Sequence, residues 1–167
     1  LERRGLTRAQ VDAAGIGFTA NARRDVGAAF KPLAAIRLPY LDFHGQPILT
    51  EIGGERRAFE RVRYLEDAPP GFIAEKPRRY QQPTQTRPFA YFPRCDAVNW
   101  QEVLADPTRP IIITEGEFKA LIASLAGFQA IGLGGVFNFM HAGALLPDLE
   151  AFASAGLHRN QSLGKRQ

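Results

Sequence analysis

The sequence predicts an α/β chain, α+β overall: a small antiparallel β region followed by a partial βαβ unit with a parallel sheet. Three observations predict it. Residues 36–65 contain two stretches, 36–42 and 58–65, in which apolar and polar side chains alternate, the pattern of strands with one buried face, with a returning strand between them. Pro110-Ile111-Ile112-Ile113-Thr114 is a short β-branched run, as expected of a strand buried on both faces of a parallel sheet. A helical stretch, Phe118 to Ala126, separates that run from a second apolar segment, Phe128-Gln129-Ala130-Ile131-Gly132.

At 167 residues the chain amounts to about one domain, or one domain with a small appendage. Hydrophobic residues at 45% and charged residues at 23% are the balance of a soluble globular protein and exclude wholesale disorder, collagen and coiled coil. No apolar run approaches the ~18–20 residues needed to span a bilayer, so no membrane partner is expected. Leu1-Glu2-Arg3-Arg4 leads into no apolar stretch of the secretory kind, and the missing initiator Met reads as a trimmed or excised chain. Cys95 is the single cysteine, which excludes an internal disulfide and a Cys-based zinc cluster. It reads as a reduced thiol without a role, in keeping with a cytoplasmic location.

Taken in order, residues 1–15 read as a short helix with Thr7 as N-cap, Gly15 as stop, and Leu6, Val11 and Ala14 on one face. Residues 16–35 show no period and read as a loop with one helical turn. Ile36 to Asp42 alternates, with Pro39 pointing to an edge or a bulge. Phe43-His44-Gly45-Gln46 supplies a turn, Pro47 to Ile52 a returning strand, Gly53-Gly54 its end, and Ala58 to Leu65 a third strand. A small antiparallel meander fits this stretch. Residues 66–100, rich in Pro and aromatics, read as extended segments wrapping a core, and Gln101 to Arg109 as a helical turn with a Pro-bounded loop. After the βαβ unit comes Leu133-Gly134-Gly135-Val136, a glycine-rich turn, then an Ala-rich stretch. The expected division is a β-rich, basic and aromatic region over 1–100, a βαβ core over 101–156, and a frayed tail over 157–167.

The chemistry gathers at Glu115-Gly116-Glu117. In open α/β sheets ligands bind outside the carboxyl ends of the strands, where this Glu-Gly-Glu falls. Carboxylates there can hold Mg²⁺ or act as general acid or base in phosphoryl chemistry. Gly132, Gly134 and Gly135 would end the next strand at the same edge, with backbone N–H groups facing a phosphate. The same residues also fit a plain helix start favoured by the dipole, and a plain tight turn.

Ile111 to Ala120, with Gly127 to Val136 behind it, resembles the opening half of a Toprim domain. More narrowly, it resembles the Toprim-like domain of unknown function in phage and plasmid primase–helicase proteins, and Leu38-Pro39-Tyr40-Leu41-Asp42 and Arg79-Tyr80-Gln81-Gln82-Pro83 are similar to the region preceding that core. The resemblance implies a Mg²⁺-dependent phosphoryl-transfer or strand-cleaving centre, with Glu115 as acid/base or metal partner and Lys119 at a frequent basic position. A complete Toprim core also has a later strand ending in Asp-x-Asp, which is absent here. Asp148-Leu149-Glu150, preceded by Pro147, reads instead as a helix start. The chain therefore reads as half an active site, holding Mg²⁺ weakly or not at all: an excised piece of a longer primase, or a derivative that has lost catalysis.

Charge adds a second constellation. The whole chain has 21 basic and 17 acidic residues, a net +4, yet between Arg56 and Arg94 nine basic residues face four acidic ones. Arg78, Arg79, Tyr80, Arg87, Phe89, Tyr91, Phe92 and Arg94 interleave cations with rings, as proteins that hold single-stranded nucleic acid do. Phe89 and Phe92 also fit a core, and the arginines a solvated face. His44, His141 and His158 have no ligand spacing. The expected function is primase-derived nucleic-acid binding for a mobile genetic element. A protein partner is the alternative: the helicase region of a parent protein, or a host nuclease or defence complex that the chain inhibits without catalysis.

Overall fold

Thr7 opens helix α1 (Arg8–Ala13) with a reciprocal cap. The Thr7 side chain accepts from the Gln10 N–H at 3.3 Å, and the Gln10 side chain accepts from the Thr7 N–H at 2.9 Å. Gly15, in the left-handed region at φ +69°, ends the helix, and the N–H groups of Gly15 and Ile16 return to Asp12 and Val11. Leu6, Val11 and Ala14 are buried, as their spacing predicts. The computed structural model describes residues 5–27, 30–68, 78–106, 108–135 and 137–155. The expected frayed tail, His158 and Val136 lie outside the described residues, as does most of the Pro-rich stretch after Asp67.

The chain forms two compact units, Leu1–Tyr40 with Pro47–Arg87 and Leu41–Gln46 with Pro88–Gln167. In the first, strand β1 (Gly17–Thr19) and helix α2 (Ala22–Asp25) occupy the stretch read as a loop with one helical turn. The turn is α2; β1 is too short to show a period. Strand β1 pairs with β2 (Ala35–Pro39), β2 with β5 (Glu60–Ala68), and β5 with β6 (Arg78–Gln81), all antiparallel. Between β2 and β5 the chain leaves this sheet to form a separate hairpin, β3 (Leu49–Ile52) and β4 (Glu55–Ala58). Gly53 and Gly54, at φ +63° and +84°, make its two-residue turn, which needs positive φ at both positions.

A simple meander is therefore not what forms. The expected third strand is divided at Phe59, whose N–H bonds to the Ile48 carbonyl while its own carbonyl accepts from Tyr40. Pro39 ends an interior strand rather than marking an edge. Because Tyr40 donates toward Phe59, Pro39 turns its missing donor the other way, past Arg37, where pairing with β1 stops. One face of the sheet buries Ala35, Val62 and Tyr64 against Ala22 and Phe30. The Tyr64 hydroxyl donates to Gln81 Oε1 at 2.7 Å and accepts from the Lys31 N–H at 2.9 Å.

Asp25 ties β1 to α2. Its carboxylate accepts from Arg24 Nε at 2.6 Å and from Thr19 Oγ1 at 2.5 Å, and these bonds, Arg24's first, hold its pKa down at about 2. A depressed folded-state pKa contributes stability that is present above the ordinary carboxylate range and is lost as pH falls toward 2. A carboxyl NMR titration is expected to place the Asp25 midpoint at about 2 and to move it upward in Thr19→Val. An unchanged midpoint in that variant would contradict the role of the hydroxyl.

In the second unit, β7 (Ile112–Glu115) and β8 (Ala130–Leu133) are parallel and joined by helix α4 (Glu117–Leu125), the expected βαβ arrangement. Gly127, at φ +87°, closes α4, with Gly127 and Phe128 donating back to Ser124 and Ala123. The expectation that the isoleucine run is buried on both faces is wrong. Ile112 and Ile113 are 43% and 52% exposed, because among the described strands β7 pairs with β8 alone. The interior position belongs to β8. All four of its residues are buried, and on its other side Tyr91 bridges Gly132 through two backbone hydrogen bonds of 2.8 and 2.9 Å.

Residues 88–100, grouped by composition with the N-terminal region, pack into this second unit. Ala90, Phe92 and Trp100 share a core with Ile131, Leu133 and Phe152. Asn99 caps helix α3 (Trp100–Ala105), accepting from the N–H groups of Gln101 and Glu102. A short hairpin, β9 (Met140–His141) and β10 (Ala144–Leu145), leads to helix α5 (Pro147–Ser154). Asp148-Leu149-Glu150 is a helix start, as read: Pro147 begins α5, both acids lie in its first turn, and Asp148 Oδ2 accepts from the Ala90 N–H at 3.1 Å. Among the described residues no helix is long and apolar enough to cross a membrane.

Candidate functional site

The register of the parallel pair builds the site. Thr114 lies opposite Gly132 and Glu115 opposite Leu133, so Glu115 and the Gly134-Gly135 turn leave the sheet at one carboxyl edge. Gly116 makes the exit. It takes φ +89° and ψ 151°, a conformation that side-chain-bearing residues rarely adopt, and its N–H donates to the Leu133 carbonyl at 2.7 Å. Helix α4 starts at the next residue, so its positive end lies at the same edge.

The three acid and base candidates separate here. Glu115 is exposed, and so is Lys119 on α4. Glu117, two residues from Glu115, is only 2% exposed. Tyr91 is equally buried. Its phenol is pushed above the ordinary tyrosine range by burial first and by the negative charge of Glu117 second. Glu117 is thus an interior carboxylate of the helix start, and the open carboxylate of the edge is Glu115.

The glycine cluster divides too. Gly132 belongs to β8 and is buried. A Cβ placed on it would lie 3.2 Å from Ala120 Cβ, 3.2 Å from the Gly116 carbonyl oxygen and 3.3 Å from Tyr91 Cδ1. Its smallness serves the close approach of strand, helix start and the Tyr91 segment, and it presents nothing to a phosphate. Gly134 and Gly135 remain at the open edge, partly exposed.

Magnesium fits this donor set poorly. Mg²⁺ bound by protein and phosphate uses one or two carboxylates with waters and substrate oxygens. Glu115 is a single open carboxylate, and among the described residues no group of three His, Cys, Asp or Glu side chains comes together.

The basic and aromatic candidates fall into both units. Tyr91 is not a stacking platform, since it is buried beside β8, and Phe89 and Phe92 are core as well. Arg94 is exposed in the second unit, on a groove of about 470 Å³ where Gln101 Nε2 lies 3.2 Å from His44 Nδ1. Cys95 on the same groove is free and half-buried, its thiol raised by that burial. Arg79, Tyr80 and Arg87 lie in the first unit, with Tyr80 and Arg87 partly exposed; the side chain of Arg78 lies outside the described residues. The guanidinium carbons of Arg61 and Arg63 lie 5.6 and 5.8 Å from the centre of the Tyr80 ring. These two partners are absent from the sequence-derived site. The signal for them is their alternation with the buried Val62 and Tyr64, which places both arginines on the opposite face of β5. Charge is also segregated: the first unit holds 15 basic and 9 acidic residues, the second 6 and 8.

Residues 99–159, from the cap of α3 through α5, match a family described as a domain of unknown function, DUF3854. The chain is similar to an uncharacterized protein of Picosynechococcus sp., being 52% identical over 46 residues. That segment is 28% of this chain and 5% of the relative's length, so the chain matches a small part of a much longer protein. No solved structure matches the chain.

Proposed function

We propose that the chain is a Toprim-like nucleic-acid-binding domain, derived from a primase of a phage or plasmid, that carries an incomplete catalytic centre. The observation behind this reading is the meeting of Glu115, the Gly134-Gly135 turn and the start of α4 at one carboxyl edge of a parallel strand pair. Such an edge suits phosphate groups. The excess of 15 basic over 9 acidic residues in the first unit supports a polyanionic partner. The donor set supports incompleteness: Glu115 is open, Glu117 is interior, and the sequence contains no Asp-x-Asp.

Fluorescence anisotropy of the full chain with a labelled 12-nucleotide single strand tests the reading. Binding is expected to weaken steeply as salt is raised, with a log–log slope of about −0.7 for each phosphate neutralised. Absence of binding at low salt would overturn it. Primer synthesis or strand cleavage by the chain with Mg²⁺, abolished by Glu115→Gln, would overturn the claim of incompleteness.

The exposed isoleucines of β7 favour a second reading, in which the chain binds a protein and inhibits it without catalysis. Salt-insensitive co-elution with a host nuclease, together with no affinity for the single strand, would select that reading.

A further inference from the structure

One row of side chains crosses the four-stranded sheet of the first unit. Register places Phe18 of β1 opposite Ile36 of β2, Ile36 opposite Arg63 of β5, and Arg63 opposite Tyr80 of β6. Directly paired residues share a face, so all four stand on the face turned away from Val62 and Tyr64. The two ends of the row are open, while Ile36 within it and Leu38, one pleat along β2 on the same face, are buried. Phe18 is 65% exposed, and Arg63 and Tyr80 are partly exposed. Arg61, one pleat along on the same face, is buried, and its Nη1 lies 3.4 Å from the Tyr40 hydroxyl. Its guanidinium and that of Arg63 both border the Tyr80 ring. The Nε of Arg63 is buried and has no hydrogen-bond acceptor among the described residues.

We propose that this sheet face holds a single nucleic-acid strand, with bases stacked on Phe18 and on the Tyr80–arginine cluster and phosphates met by Arg63. The proposal rests on the nucleic-acid reading above and places its binding surface on the first unit rather than at the carboxyl edge of β7 and β8. Three chemical facts select this occupant. Aromatic rings at the accessible ends of the row offer stacking surfaces to any base. Three inter-strand spacings, about 14 Å, separate Phe18 from Tyr80, a distance that a few nucleotides span. The unit bearing the face has the positive excess, 15 basic against 9 acidic residues, whereas a hydrophobic protein partner would have no use for a row with arginine at its centre.

The test measures anisotropy of labelled 12-nucleotide DNA and RNA single strands, and of the corresponding duplex, on the full chain and four variants. Phe18→Ala and Phe18→Leu are both expected to weaken single-strand binding about 5-fold or more, since leucine keeps the apolar bulk and loses the ring face. Arg63→Gln is expected to make the salt slope shallower by about 0.7. Phe128→Ala removes an exposed ring of the second unit and is expected to change nothing. The duplex, whose base faces are covered, is expected to bind more weakly and to ignore the Phe18 substitutions. Whether DNA or RNA binds more tightly identifies the preferred strand. Thermal unfolding of each variant is followed alongside, and Phe18→Leu is expected to melt with the parent chain. If the parent chain binds and the Phe18 and Arg63 variants bind equally well, the sheet face is wrong while the nucleic-acid reading stands. If the parent chain does not bind, both fall.

Discussion

Trp100→Ala is expected to lower the unfolding free energy by about 3–5 kcal/mol, the range for truncating a large buried aromatic side chain. Trp100 is buried at the start of α3, and its ring meets Phe92 edge-on at 5.1 Å and Phe152 at 6.2 Å. Phe92 and Phe152 stack on each other at 5.6 Å, and Phe43 joins both. The indole Nε1 donates to the Pro93 carbonyl at 3.0 Å in a buried setting. Alanine would leave a cavity among three rings and a buried carbonyl without its donor, a further cost of about 1–3 kcal/mol where water cannot enter. The melting temperature of a chain this size is expected to fall by about 6–20 °C, followed by circular dichroism because Trp100 is the single tryptophan. Trp100→Phe restores most of the packing but not the hydrogen bond, so an intermediate loss is expected. If alanine and phenylalanine cost the same small amount, this cluster does not hold the second unit together.

Short-range signals were legible. Thr7 with Gln10, Gly15 and Gly127 as helix stops, the Gly53-Gly54 turn and Pro147 at the start of α5 each act within a few residues, and each stands where its chemistry puts it. Long-range questions were not. The isoleucine run of β7 reads as a strand buried on both faces and Phe128 to Gly132 only as a second short strand, but which one lies inside depends on the neighbour each acquires. Tyr91 took the place beside β8, and nothing took the far side of β7 among the described residues. Tyr91 itself sits among arginines in the sequence and so resembles a stacking ring, although its backbone pairing with Gly132 carries it inward. Glu117 reads like Glu115 because both flank Gly116. Only the turn at that glycine, which starts the helix one residue later, sends one carboxylate inward and leaves the other open. The row from Phe18 to Tyr80 draws on four strands spread over more than sixty residues of chain, so no local pattern could reveal it.

Gly132→Ala separates the two roles that glycines near the β8 exit can have, and is expected to cost about 1–3 kcal/mol. The new methyl group would meet three neighbours at 3.2–3.3 Å, and two of them cannot swing aside. The Gly116 oxygen belongs to the turn that starts α4, and Ala120 Cβ is fixed to the helix backbone. Relief would have to come from shifting α4 away from β8 or from moving Tyr91, whose backbone is held to Gly132 by two hydrogen bonds. Gly135→Ala provides the contrast. Among the described residues its Cβ would meet only the side chain of Asn138, at 3.4 Å, and its backbone is outside the left-handed region, so stability is expected to stay within about 0.5 kcal/mol of the parent. Denaturant unfolding followed by Trp100 fluorescence compares the two directly. If Gly132→Ala is as stable as the parent, the close approach of β8 and α4 is not a constraint, and the reason for assigning Gly132 to packing rather than to a phosphate is gone. If Gly135→Ala leaves stability intact but weakens single-strand binding, the glycine turn at the open edge touches the nucleic acid. Unchanged binding would confine the contact to the sheet face of the first unit.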